Sequence, residues 1–570
     1  MYSETDLTSA SPLTSADTHS RRMVYEPIMD REPQLLALNN DDILRQILGH
    51  LAVGLEPTQT PIDDLHEKIK SSRKCIYNAV LVSRAFAPPA LDLLWQVMDS
   101  IKPLIELLPV VVYNDQSDTN RYSIAYESQN LEQSVKHFTR RAEKVQVFYY
   151  FPQEASNTDF NWEFFHALKS HPAIPSPLLP NLHTLHVSSL SEDSNHSVLF
   201  HILSTSLRFV RVSTWAEAAP DYIRTFITCL LTQARDLHHL KVDEPDEIPK
   251  GVQDQLFSFR QLRTLHLTSL NRSIFWPICA LDELSNLTTL SMDLTSSQPA
   301  VPLDGIRIPC RSVEVLDIVC HISPMFELLA ALEAPNLSEL CLDFHSDSSE
   351  RDPHRDASII GAVAKWSSSL RILSADIIEW DILSVFRDCC WPLVQFEHLH
   401  FMEVQAHDDS YVLSEKGCWE LARSLPNVEK LSLPLSTTIS FQSLLSLTFL
   451  CPHLRVLQVG IDTTSSLDVL GATTISFPNE LETISVGDTV VADHFLLARS
   501  LIISFPDLAN IISPSPSWDS VNDLLEFVHS LDVDKPSHKV LSDELSQNFR
   551  SRMVRDAKDC KLPEELRLPL

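Results

Sequence analysis

Histidine beside carboxylate, paired thiols and closely spaced glycines are the patterns that carry chemistry, and the chain holds a few of each. His407-Asp408-Asp409 sets a base next to two carboxylates, the raw material for proton transfer. His238-His239 and His398-Leu399-His400 offer imidazoles at short spacing, and Cys389-Cys390 two adjacent thiols. Gly49 and Gly54 share the spacing that opens a phosphate-binding loop. None completes its constellation. Leu55-Glu56 follows Gly54 where that loop needs Lys and then Ser or Thr. There is no Cys-x-x-Cys, no Gly-x-Ser-x-Gly and no His-Glu-x-x-His. The histidine pairs fall on expected strands, where adjacent side chains point to opposite faces. His407-Asp408-Asp409 falls in an expected loop, and Cys389-Cys390 reads as two small buried residues. No catalytic residue, metal ligand or cofactor is therefore assigned, and a non-catalytic protein is expected.

The elements that would have to position any site follow from composition and pattern. With 570 residues and 44% hydrophobic content the chain can bury a large core, as two or more domains or as one repeat array. Its formal net charge of −31, from 76 acidic and 45 basic residues, argues against general binding to nucleic acid or to anionic membranes. Eleven scattered cysteines suggest neither a zinc framework nor a disulfide scaffold, so a reducing, cytoplasmic or nuclear setting is expected. The leader 1–34 is polar and expected to be disordered, without a signal peptide. No stretch is apolar for long enough to span a bilayer.

A short amphipathic helix follows the leader. Ile43, Leu44, Ile47, Leu48 and Leu51 line one face at helical spacing. Asn39 or Asn40 can cap it, and Asp41 and Asp42 suit the positive end of its dipole. Val82, Ser83, Arg84, Ala85 and Phe86 form a second block, Pro88-Pro89 ends it, and a third short helix carries Leu94-Trp95. These residues resemble the F-box, whose pattern runs roughly Leu-Pro-x-Glu-Ile-Leu, Ile-Phe, Leu, Val-Cys-Lys-x-Trp and Leu-Trp. Asp42-Ile43-Leu44, Ile47-Leu48, Leu51, Val82 to Phe86 and Leu94-Trp95 stand at the matching positions. Asn39-Asn40 departs from Leu-Pro, and an insertion at about 52–73 separates the two blocks, with 62–74 expected as a charged helix. The wording is similar to F-box-like, leucine-rich-repeat proteins of mushroom-forming fungi. The resemblance implies a module at 35–101 that docks on a Skp-type adaptor subunit, and through it a cullin. Ile43, Leu44, Ile47, Leu48, Leu51, Val82, Phe86, Leu94 and Trp95 would be the docking residues.

Beyond a bridge at 102–144 the chain becomes periodic. An apolar-x-x-apolar-x-apolar unit recurs from Leu182-Leu185-Val187 to Leu481-Ile484-Val486 at steps of 24 to 33 residues, with Leu508-Ile511 as a degraded last copy. Ala142-Val145-Val147 reads as an atypical first copy. Pro precedes several anchors, as in Pro180-Asn181-Leu182 and Pro335-Asn336-Leu337, where it would stop a helix before the next strand. The Asn or Cys usual after the third anchor is not kept. The expected fold class is α/β: a three-helix F-box-like module, then an irregular leucine-rich-repeat solenoid at 145–513. Its parallel strands would line a concave face and its helices a convex one. A helical cap or tail at 514–570 would close it.

Three readings remain: a substrate adaptor of an SCF-type ubiquitin ligase whose repeats bind a protein substrate, a ubiquitin-independent repeat scaffold with a drifted F-box, and an enzyme with a site built from loops. Arg208, Arg211, Arg263 and Arg371 are too scattered in sequence to define a phosphate-reading surface.

Overall fold

The computed structural model describes residues 40–50, 62–114, 120–124, 130–151, 160, 162–188, 190, 196–213, 220–243, 252, 255–268, 281–295, 307–345, 362–377, 396–406, 411–463 and 479–530. The chain divides into two compact units, Met1–Leu94 and Trp95–Leu570.

The described residues of the first unit form helices. Helix α1, Asp41–Gly49, begins where the Asn40 side chain accepts the Asp42 amide, and Asp41 and Asp42 occupy its first turn. Helix α2, Ile62–Val82, carries the expected charged helix and runs on through the start of the second motif block. It buries Ile69, Ser72 and Ile76, a spacing that puts them on one face. Helix α3, Ala87–Gln96, tolerates Pro88 and Pro89 because its first-turn amides have no helical acceptor to lose. Leu48, Ile76, Ala90 and Leu93 form its small core, with Ala79, Val80, Phe86 and Leu94 packed around them. Arg45 bonds Asp41 at 2.8 Å on its own helix and Asp92 of α3 at 3.0 Å, tying α1 to α3.

The second unit is built on one parallel sheet whose fifteen strands follow chain order. They are β1 Val97–Met98, β2 Val147–Tyr150, β3 Thr184–Val187, β4 Phe209–Val212 and β5 His239–Val242. Next come β6 Thr264–Leu267, β7 Thr289–Leu294, β8 Val315–His321, β9 Glu339–His345 and β10 Ile372–Ile377. The last are β11 Phe401–Ala406, β12 Lys430–Ser432, β13 Val456–Gln458, β14 Thr483–Ser485 and β15 Asn510–Ile512. The middle anchors pair in unbroken register: Leu185 with Val210, then Leu240, Leu265 and Leu290, and so on to Ile484 and Ile511. All three anchor positions are buried in one continuous core with the helices that return the chain between strands. β8 shows the cause in its strict alternation of buried and half-buried residues, one face in the core and one outside it.

A second device recurs. Asn181 Nδ2 donates to the Glu143 carbonyl at 2.7 Å, Asn286 to Arg260 at 2.8 Å, Asn336 to Arg311 at 2.7 Å and Asn427 to Glu397 at 2.7 Å. These four asparagines stand immediately before the first anchor, so each joins its repeat to the one before it. The device stands apart from the usual position after the third anchor.

Two sequence expectations are corrected. The first repeat copy is Val145, Phe148 and Tyr150, three residues later than expected, because Phe148 pairs with Leu185 and Val145 takes the buried place that Leu182 has next. The residues 95–101, assigned to the F-box-like module, belong to the second unit, because Val97 and Met98 pair in parallel with Val147 and Phe148 and extend the sheet. The bridge also contains an antiparallel hairpin, Val110–Asn114 with Asn120–Ile124, that the sequence reading did not anticipate.

Candidate functional site

Two surfaces have the character of sites. The first is on the helical unit. Along α1, Leu44 and Leu48 point into the protein, while Ile43 and Ile47, one helical turn apart, are exposed, Ile47 by 46%. At the end of α2, Leu81 is 69% and Val82 73% exposed, and Tyr77 lies one turn before Leu81. Large apolar side chains in water sacrifice roughly 25 cal/mol per Å² of burial, so a set of them on one small unit marks a contact surface. The Asp41 and Asp92 carboxylates hold the Arg45 guanidinium on α1 and raise its pKa above the ordinary arginine value. The arginine therefore stays charged and positions the helix that bears Ile43 and Ile47.

The second surface is the face of the sheet opposite the buried anchors. Register places one side chain per strand in a row across it: Tyr149, His186, Arg211, Lys241, His266, Ser291, Asp317, Cys341, Ser374 and Glu403. Neighbouring strands are about 4.8 Å apart, so three consecutive residues span about 10 Å. The row changes sign along its length. Arg211 and Lys241 make one end cationic, whereas Asp317 and Glu403, with Asp293, Asp343 and Asp376 one step further along the strands, are acidic. Asp243, at the end of β5, bonds Arg211 Nε at 2.7 Å and lies 3.4 Å from Lys241 Nζ and 3.9 Å from His266 Nε2.

No family model matches the chain. No curated protein matches it. Among solved structures it is similar to a chain in the crystal structure of the Rad7 and Elc1 complex in yeast, at 13% identity and a TM-score of 0.28, over 68% of this chain and 83% of that one.

The nine residues singled out from the motif separate by environment. Ile43, Ile47 and Val82 are exposed, Leu44 and Leu48 are buried, and Phe86 and Leu94 are half-buried around the small core. Trp95 packs instead against the core of the second unit, with the Arg141 guanidinium 5.5 Å over its ring. Leu51 lies outside the described residues. Tyr77 and Leu81 lie outside the F-box pattern; their helical spacing is legible in the sequence, but only the full extent of α2 shows them exposed together with Val82.

Among the described residues no cluster of three or more His, Cys, Asp or Glu could hold a metal ion. His400 faces Glu429 at 3.2 Å, and the rings of His238 and His239 are 6.4 Å apart. His407-Asp408-Asp409 and Cys389-Cys390 lie outside the described residues. Among those described, no helix is long and apolar enough to cross a membrane.

Proposed function

We propose that the protein is the substrate-recognition subunit of a Skp-cullin-F-box ubiquitin ligase. The helical unit docks on a Skp-type subunit, and the repeat sheet holds a protein for ubiquitin transfer. The observation that carries this reading is the split of α1 into a buried pair, Leu44 and Leu48, and an exposed pair, Ile43 and Ile47, within the segment that resembles the F-box. In this reading Ile43, Ile47, Leu81 and Val82 touch the partner, while Leu44, Leu48, Phe86 and Leu94 hold the helices that present them. The chain makes and breaks no bond itself. It raises the local concentration of target lysines near a charged conjugating enzyme, so catalysis by proximity is its contribution.

The test is co-purification of the full chain with a Skp-type subunit, alongside the double variant Ile43→Asp, Ile47→Asp. Both positions are exposed, so the variant is expected to keep the wild-type circular dichroism and melting temperature and to lose the partner. Retention of the partner by the folded double variant, or no capture by wild type, overturns the reading and leaves a repeat scaffold independent of ubiquitin.

A further inference from the structure

Arg211, Lys241 and His266 lie on adjacent strands β4, β5 and β6, directly opposite one another in register and on the same face. Two permanent cations and an imidazole thus share one carboxylate, Asp243. Arg211 and Lys241 bring two positive charges to this place, and burial lowers the pKa of the His266 imidazole beside them. One strand before it, His186 is 1% exposed, and neither ring nitrogen has a hydrogen-bond partner. Its ring is stacked on Tyr149 at 4.5 Å and tilted against Phe209 at 5.3 Å. A buried polar group without a partner costs stability, and such groups mark places where a ligand or an ion completes the bonding. Burial and the neighbouring Arg211 pull this imidazole down to about 3, so it is neutral at pH 7 and has one N–H to donate. Arg208 and Arg263, at the entries to β4 and β6, lie close enough to His238 to lower its pKa as well, after burial. The arginines that looked scattered in sequence are thereby gathered: Arg208, Arg211 and Arg263 fall on two strands with one between them, whereas Arg371 lies apart at the entry to β10.

We propose that Arg211, Lys241 and His266, backed by His186, seat an anionic side chain, carboxylate or phosphate, of a protein partner. The proposal rests on the reading that the sheet binds protein, and it adds where and by what charge. The acidic row from Asp317 onward explains why the seat is local. An anionic segment is attracted over β4 to β6 and repelled over β8 to β11, so the face selects the direction in which a segment lies.

The experiment uses the full chain and an array of peptides of randomised flanks centred on phosphoserine, on Asp-Asp or on serine, with orthophosphate as a separate probe. Wild type is expected to retain the phosphoserine or Asp-Asp peptides over the serine ones, more weakly as salt rises. Lys241→Gln, which removes the charge and keeps most of the length, is expected to bind about tenfold more weakly, in keeping with the loss of one charge-assisted hydrogen bond. Arg307→Glu alters an exposed cation far along the chain, 82% exposed, and is expected to bind as wild type does. Equal retention of all peptides, an equal loss in Lys241→Gln and Arg307→Glu, or protection from heat by orthophosphate with no peptide retained would each overturn the proposal. No Skp-type subunit enters this assay, so its failure is distinct from failure of the adaptor reading.

Discussion

His186 is the residue where burial has the clearest measurable consequence. Its folded pKa of about 3 lies below the ordinary histidine value, so between these limits the unfolded chain binds a proton that the folded chain refuses. Stability from this group is present above pH 6.5 or so and is lost as the pH falls, by on the order of 2 kcal/mol between pH 7 and pH 5. Replacing His186 with Phe keeps an aromatic ring against Tyr149 and Phe209 and removes the titration. Denaturant melts of wild type and His186→Phe at pH 7 and pH 5 should therefore show a smaller acid loss in the variant; identical losses would refute the assignment. At this scale the sequence made some roles readable and hid others. Asn40 and the first-turn aspartates announce a helix start because their chemistry is local. That Ile47 is exposed and Leu48 buried is not local, because it depends on where Ile76 and Leu93 come to pack.

At the scale of single elements, the joints between repeats explain which substitutions should hurt. Asn336 bonds the Arg311 carbonyl at 2.7 Å from an exposed position. Its replacement by Ala should cost about 1 kcal/mol, the net worth of one hydrogen bond, read as a shift of the urea midpoint without a change in slope. Gly487 is held more tightly. A Cβ there would meet the Leu435 carbonyl oxygen at 2.5 Å, where the chain after β14 approaches the chain after β12. Gly487→Ala should cost about 1–3 kcal/mol as overpacking and lower the melting temperature, whereas Gly49→Ala, with nothing within 4 Å, should not. The recurring Pro-Asn-Leu was visible in the sequence as a helix stop. The bond its asparagine makes was not, since the acceptor lies 25 to 38 residues earlier and only the stacking of repeats brings it within reach.

For the whole molecule the decisive matter is how a long parallel sheet ends. At its C-terminal edge, Trp518 donates its indole N–H to the Thr489 carbonyl at 2.9 Å, and helix α4, Asp519–Ser530, follows it. Asn522 of α4 donates to the Ile511 carbonyl at 2.7 Å and accepts the Ile511 amide at 3.0 Å, so one side-chain amide takes the place of a next strand. Open edges recruit other chains. Asn522→Ala should thus leave two backbone groups of Ile511 unpaired, cost roughly 1–3 kcal/mol, and increase self-association in sedimentation relative to wild type. Residues 531–570 of the expected helical cap or tail lie outside the described residues. The sequence by itself determined the repeat, because a spacing of 24 to 33 residues between apolar triplets can be buried only by stacking strand upon strand. Only the tertiary structure decided the phase of the first copy, the membership of residues 95–101, the exposure of Ile43, Ile47, Leu81 and Val82, and the meeting of Arg211, Lys241 and His266. Each of these depends on residues far apart in sequence becoming neighbours through strand register and packing, and a periodic pattern states how often contacts recur without stating which side chains they bring together.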